Sequence, residues 1–543
     1  MPPFRVLLIS GRSPGYSMNF ARRLSCEVPE VQILGIALFS SRQSKPTLFS
    51  RILNRITDAL IGFIHAFPVS SGKSSESERD DLERECRSKQ WSFLEVNKID
   101  AEGIARFFRG EQVDLTVMLG SSELLQEFPC ASRLGLLGGS VIIQPPLPVG
   151  RNLGCQDDRA VDVEIEERSE KAAPTVLIRG SIPFQPFDTL EGQALKADLI
   201  LNDLLIQATS CFAAGKPAAV KQAVQRWIAE MLPLQNEPSA DPTSLLGSSN
   251  GHSRIRPVWK LCIYTLILLS PYIVARNWYR RLRGRFPVTI FFHHLVSDRP
   301  HRMGVPTAAI CKAIAFLQKH YRIVSLSEAV ALIRSGGAKV PTVALTFDDG
   351  YEENFLTLRA ITEAMGIPVT SFLCTDFVEQ QSSFLHDYKL GEKSFHAMSW
   401  EQARYWQSDM IEFGAHTRTH FDCGSIDRSL LKQEIVGSAE MLARCLGRTP
   451  RFFAFPYGKH ENMSADAIQI ASSTFESSFS AQTENDRQNG NDAKIIGRTD
   501  LPVDRWELEL ALQSVFEIVS HLNFSSTTKE TEQSTEKKWD SYL

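Results

Sequence analysis

Val343-Ala344-Leu345-Thr346-Phe347-Asp348-Asp349-Gly350 is an apolar run of β-forming residues that stops abruptly in two carboxylates and a glycine. A continuous apolar run suits a strand buried on both faces, the situation of a parallel sheet covered by helices. Ending such a strand in Asp348-Asp349-Gly350 delivers two acids to the rim of the sheet. There one can hold a metal while the other manages a proton. The same tripeptide is also ordinary turn chemistry, so the stretch reads first as fold and only then as function.

Downstream lies His416-Thr417-Arg418-Thr419-His420, preceded by the run Met410-Ile411-Glu412-Phe413-Gly414-Ala415. Histidines four apart fall on one face of a helical turn, where both imidazoles reach one cation. With 12 histidines in 543 residues, roughly 0.3 such pairs arise by chance, so the spacing alone is weak. Its force comes from the order of the whole set. A third block, Arg451-Phe452-Phe453-Ala454-Phe455-Pro456-Tyr457-Gly458, is an aromatic strand closing in a Pro-Tyr-Gly turn.

Taken together, Thr346–Gly350, His416–His420 and Arg451 with Phe455–Gly458 resemble the three motifs of the polysaccharide deacetylase family (the nodulation-B homology domain, carbohydrate esterase family four). Phe291-Phe292-His293-His294-Leu295-Val296-Ser297-Asp298 resembles the family's opening strand, and Met398-Ser399-Trp400-Glu401-Gln402 the helix start before its second motif. The resemblance implies a distorted TIM-type (β/α) barrel. It implies Asp349, His416 and His420 as ligands of a divalent metal, with zinc the default. It makes Asp348 the general base, Arg451 the residue that pairs with that base, and the Tyr457 backbone N–H an oxyanion donor. The general acid has no clean counterpart, and His294, His460 and His521 compete for it. Ile496–Asp504 resembles a fourth motif, which offers Arg498 and Asp504 as supporting groups; a loop salt bridge is an equally good reading of them.

The first half of the chain alternates strand-type and helix-type segments, the pattern of a parallel α/β sheet. Strands are expected at 4–10, 31–39, 114–120 and 139–144. Gly11-Arg12-Ser13-Pro14-Gly15 lacks a dinucleotide fingerprint and reads as a plain strand-to-helix turn. The region is similar to formyltransferases that use a formyl-tetrahydrofolate donor, on Asp114–Leu125, Leu134-Gly135-Leu136, Ile182–Leu190 and the closing helix Ala194–Gly215. That resemblance implies a Rossmann-like sheet. The family's catalytic positions do not carry over. Ile142-Ile143-Gln144-Pro145 stands where Asn-x-His-Pro is expected, and Glu164–Ala173 lacks the expected Asp. The expectation is a catalytically inactive formyltransferase-like domain.

The organisation expected is therefore a formyltransferase-like domain (1–235), a Pro/Ser/Gly-rich linker (236–258), a short apolar segment with basic flanks (259–285), the deacetylase domain (286–522) and a polar tail (523–543). The apolar run Leu261–Ala275 is shorter than the roughly 20 residues a membrane span needs. With Trp259, Trp278, Tyr279 and arginines at its ends, it reads as a membrane-surface anchor or as a helix packed on a protein core, and the basic flanks favour the first.

A net charge of −4 gives no sign of a nucleic-acid partner. Ten scattered cysteines without a CxxC pair and an N-terminal apolar run too short for a signal peptide suggest a cytoplasmic protein, peripheral at the inner membrane face if the anchor holds. The expected function is removal of an N-acyl group, acetyl first, from an amino sugar carried on a nucleotide, a lipid or a polysaccharide precursor. Competing readings are a non-catalytic scaffold and a deformylase or O-acetyl esterase.

Overall fold

The computed structural model of the chain describes residues 3–10, 12–39, 59–64, 75–96, 112–119, 136–143, 160–169, 172–183, 190–232, 264–265, 267–299, 301, 303–384, 387, 395–408, 410–482 and 495–513. Gln144-Pro145, the 236–258 linker, His521 and the 523–543 tail lie outside these residues.

The N-terminal sheet has seven strands: β1 Phe4–Ser10, β2 Val31–Phe39, β3 Ser92–Val96, β4 Leu115–Leu119, β5 Leu136–Ile143, β6 Ala160–Ser169 and β7 Ala172–Pro183. Their spatial order is β3-β2-β1-β4-β5-β6-β7. The first five strands pair parallel in doubly wound order, as the alternating pattern leads one to expect. The last two pair antiparallel, so the sheet is mixed where an all-parallel one is expected. Three strands go beyond those expected, β3, β6 and β7; β6 carries the plainest signal, since Val161, Val163 and Ile165 alternate with Asp162, Glu164 and Glu166, a period of two that marks a strand. Ser13 caps the helix Pro14–Glu27 by accepting from the Tyr16 N–H, which makes Arg12-Ser13 the entry to a helix rather than a phosphate-binding loop.

The second sheet contains β8 Val288–His293, β11 Arg322–Ile323, β12 Thr342–Phe347, β13 Val369–Leu373, β14 Ile411–Ala415, β15 Phe452–Ala454, β16 Ser477–Ser480, β17 Ile495–Gly497 and β18 Thr499–Asp500; β9 Leu295–Val296 and β10 Gly304–Val305 form a separate small ladder. All pairings are parallel, in the order β17-β16-β15-β14-β13-β12-β8-β18, with β11 on β12. The two edge strands, β17 and β18, are joined by one residue, Arg498. The chain thus carries the sheet from its last edge back to its first, and the sheet is a nearly closed barrel. Its interior is filled by Ile290, Ala344, Phe372, Phe452, Ala454, Phe479 and Ile496, alternate residues of successive strands, as barrel closure requires.

The two sheets are not independent bodies on a tether. The helices Pro14–Glu27 and Leu190–Ala213 of the first half pack on the helix Glu352–Met365 of the second. Asp203 accepts from both terminal nitrogens of Arg359, at 2.9 and 2.7 Å, and from Arg23 at 2.6 Å. Asp203 and Arg359 are buried.

Candidate active site

The ends of β8, β12, β14 and β15 and the β17–β18 junction meet at one rim of the barrel. β12 ends at Phe347, and Asp349 turns the chain with φ 71° before Gly350 at 88°. A side chain at Gly350 would bring its Cβ within 2.5 Å of Leu373 Cδ2, so the turn is sterically reserved for glycine. Three more non-glycine residues with positive φ sit at the same rim: Thr417 at 61°, His420 at 55° and Tyr457 at 60°. Concentration of left-handed backbone at one place is the signature of a site whose geometry the surrounding fold imposes.

That strain corrects the expected helical turn. His416 directly follows β14, and residues 417–419 form a turn rather than a helix. The left-handed residues Thr417 and His420 fold the chain back, and Thr417 Oγ1 accepts from the Phe421 N–H at 2.9 Å. Glu434 holds the turn from outside, accepting from the Arg418 and Thr419 N–H groups at 2.9 and 3.0 Å and from Thr419 Oγ1 at 3.0 Å. Both imidazoles still reach one point, by a different route.

Asp349 Oδ1 lies 3.6 Å from His416 Nε2 and 3.5 Å from His420 Nε2. These are long for hydrogen bonds. They match the roughly 3.4 Å between ligands held at about 2.1 Å around a tetrahedral ion. All three ligand atoms fall within 4.8 Å of one another. The Ala454 carbonyl accepts from His416 Nδ1 at 2.8 Å, which leaves Nε2 with its lone pair toward Asp349. His420 is braced by the edge-on Tyr457 ring at 4.8 Å. Burial, with Asp348 and Asp387 nearby, pushes the Asp349 carboxyl well above its ordinary value; a cation among these groups would restore the carboxylate. The donor set therefore fits a divalent metal.

Asp348 meets a different partner from the one expected. Arg498 Nη1 donates to Asp348 Oδ1 at 2.7 Å and Nη2 to Oδ2 at 2.8 Å, with Nη1 also on Thr346 Oγ1 at 2.9 Å. Arg498 is 1% exposed and Asp348 3%, so this is a two-point ion pair closed to water. Burial alone would raise the Asp348 pKa; the Arg498 charge, with His416 and His294, brings it down to about 2. Arg451 is instead at the surface, bonded to Glu476 at 2.6 Å and to Ser327 at 2.7 Å. The two arginines differ in position along their strands: Arg451 precedes β15, at the end away from the rim, whereas Arg498 follows β17 at the rim itself. Sequence reasoning had Arg498 only as a supporting group. An arginine between two short strands is the signal that could have raised it, since a buried charge needs a counter-charge.

His294 follows β8 at the rim, beside Asp348, and burial lowers its pKa to about 4. Tyr457 is half exposed, with its hydroxyl raised by burial and by Asp422 and Asp349. Asp504 is the N-cap of the helix Arg505–Leu512, accepting from the Trp506 and Glu507 N–H groups at 2.9 and 3.2 Å. Its carboxylate caps a helix. His460 opens an exposed 3-10 turn. The rim thus brings together Asp348, Asp349, His416, His420, Tyr457, His294 and Arg498, whereas Arg451 is engaged at the surface with Glu476.

The family model for polysaccharide deacetylases matches residues 335–474. Asp348, Asp349, His416, His420 and Tyr457 fall inside the match, while His294 and Arg498 flank it. No curated protein matches the chain. Among solved structures, IcaB from Ammonifex degensii is 20% identical, covering 42% of this chain and 97% of its own, at TM-score 0.35. The Streptococcus pyogenes deacetylase PplD, solved in complex with acetate, is 17% identical over 42% of this chain and 98% of its own, also at 0.35. Over the N-terminal part, a glycinamide ribonucleotide transformylase from Symbiobacterium toebii is 11% identical, covering 39% of this chain and 89% of its own, at 0.23. The similarity in these structures is distant; the assignment rests on the family match and the rim it encloses. Residues 335–474 of this chain are a match to the polysaccharide deacetylase family.

Proposed function

We propose that the C-terminal domain is a metal-dependent hydrolase that removes an N-acyl group, acetyl in the first instance, from an amino sugar. The observation that carries this reading is the pairing of two differently tuned carboxylates at one rim: Asp349 grouped with two imidazoles, and Asp348 kept ionised by Arg498. A divalent cation, zinc on this donor set, would be held by Asp349, His416 and His420, where it supplies Lewis acidity toward the acyl carbonyl.

The residues divide the remaining work. Asp348, ionised and fixed at both oxygens, takes the proton of the attacking water. The Tyr457 N–H, on its left-handed turn, donates to the oxyanion as the carbonyl becomes tetrahedral. His294 beside Asp348 passes a proton to the departing amine. The N-terminal domain, without the formyl-transfer residues, serves binding or scaffolding. The amino sugar is carried on a nucleotide, a lipid or a growing polysaccharide, in a cytoplasmic setting consistent with scattered cysteines.

Acetate release from free, nucleotide-linked and lipid-linked N-acetylated sugars tests the reading, with Asp348→Asn as control. Wild type should release acetate, and the variant should fall by about 10²–10⁴-fold, the worth of a general base, while still binding zinc. Formate or ester hydrolysis in place of acetate release would move the assignment to a deformylase or esterase. Metal-loaded protein inert on every substrate would leave the scaffold reading standing.

A further inference from the structure

Residues 242–297 contain eight Arg or Lys and no Asp or Glu, in a chain of net charge −4. At the centre of that stretch is the helix Pro271–Arg283, capped by the Ser270 side chain and ended by Gly284 at φ 59°. Its inner face is fixed on the barrel. Ile273 is buried among Ile64, Leu268 and Leu510, and Asn277 Nδ2 donates to the Ile64 carbonyl at 2.8 Å and to Gln513 Oε1 at 2.9 Å.

The outer face is the unusual one. Four of the eight large apolar side chains exposed among the described residues stand on it: Tyr272 at 71%, Trp278 at 49%, Tyr279 at 57% and Leu282 at 81%. At 100° per residue they share a wedge of roughly 120° with Pro271 and Ala275, and no charge enters it. Arg276, Arg280 and Arg283 border the wedge on one side and Arg281 on the other. Arg276, Arg281 and Arg283 lie over Tyr272, Trp278 and Tyr279 at 5.7, 5.9 and 5.2 Å from the ring centroids.

An apolar, aromatic strip edged by arginine on both sides faces outward, the reverse of a solvent-exposed helix. It fits a surface that is oily beneath and anionic at its boundary. We propose that this face docks the protein on an anionic lipid bilayer. The helix lies on the surface rather than crossing it, since none of the described helices is long and apolar enough to span a membrane. Asn277 and Arg280 line a small cavity with Pro287 and Thr342, where β8 and β12 begin. The docking helix therefore sits at the end of the barrel opposite Asp348, about 20 Å away along a six-residue strand, and leaves the catalytic rim open to water. This surface is independent of the deacetylase reading.

Sedimentation of the full chain with phosphatidylcholine vesicles, and with mixed phosphatidylcholine–phosphatidylglycerol vesicles, tests the proposal. Wild type should pellet with the mixed vesicles, weakly with phosphatidylcholine alone, and less as salt is raised. The pair Arg281→Gln/Arg283→Gln should lose about thirtyfold in partitioning, and Trp278→Ser/Leu282→Ser about tenfold or more. Both pairs should keep the wild-type thermal midpoint, since their side chains contact solvent. Wild type left in the supernatant with mixed vesicles, or variants that bind like wild type, overturns the proposal. So does a wild-type dimer that Trp278→Ser/Leu282→Ser dissociates, which would give the face to a second copy of the chain.

Discussion

Arg498 holds Asp348 through two charge-assisted hydrogen bonds between buried side chains, whereas Arg451 holds Glu476 at the surface. Arg498→Gln would leave a buried carboxylate with half its partners. That should cost roughly 3–5 kcal/mol in urea unfolding and take most of the hydrolytic rate with it. Arg451→Gln breaks an exposed pair and should change stability by less than about 1 kcal/mol, with kcat near wild type. Equal losses from the two variants, measured side by side, would return the base-holding role to Arg451. The acids and imidazoles were legible in the sequence because they are adjacent or closely spaced, so local geometry gathers them. The arginine was not. Both candidates adjoin apolar strands, and only the closing of the sheet across Arg498 tells which one is inside.

The 417–419 turn between the two proposed metal-ligating histidines and the helix behind it form the next unit. Glu434, on the helix Arg428–Leu446, accepts from two backbone N–H groups and a hydroxyl of the 417–419 turn. It touches none of the ligands by these bonds, yet it fixes the loop that places His416 and His420. Glu434→Ala should weaken zinc binding by about 10–100-fold, the usual effect of losing an outer support of a metal site, with secondary structure intact by circular dichroism. Competition with a chromophoric chelator measures it. Unchanged affinity would mean that the strained backbone holds itself. The expected helical spacing of the histidines failed here for a physical reason. An i, i+4 pair is compatible both with a helical turn and with a left-handed reversal after a strand, and Gly414-Ala415-His416 continues β14 into the second. By contrast, the helix start that the family resemblance placed at Met398–Gln402 holds, and it rests on a local capping box of Ser399 and Gln402 whose hydrogen bonds both form.

The two halves of the chain were expected as separate domains joined by a linker, and the strand and helix pattern of each was largely readable. What the pattern could not give was their contact, because it depends on side chains from distant segments. Asp203 and Arg23 come from the first half, and Arg359, Glu363 and Tyr405 from the second. Arg359 and Glu363 lie on the helix Glu352–Met365, which begins two residues after the Asp348-Asp349-Gly350 turn. The N-terminal domain is thus fastened to the helix that follows the Asp348-Asp349 turn, and its stability and that of the rim should be linked. Asp203→Ala leaves Arg359 buried with no carboxylate on that side. It should destabilise the full chain by roughly 3–5 kcal/mol, and calorimetry should show one cooperative transition in wild type splitting into two. Asp203→Ala with Arg359→Met removes both charges and should recover a large part of the loss, as replacement of a buried pair by apolar groups does. A single mutant that melts with wild type would show that the halves are held by apolar packing alone, and that the N-terminal domain leaves the rim unaffected.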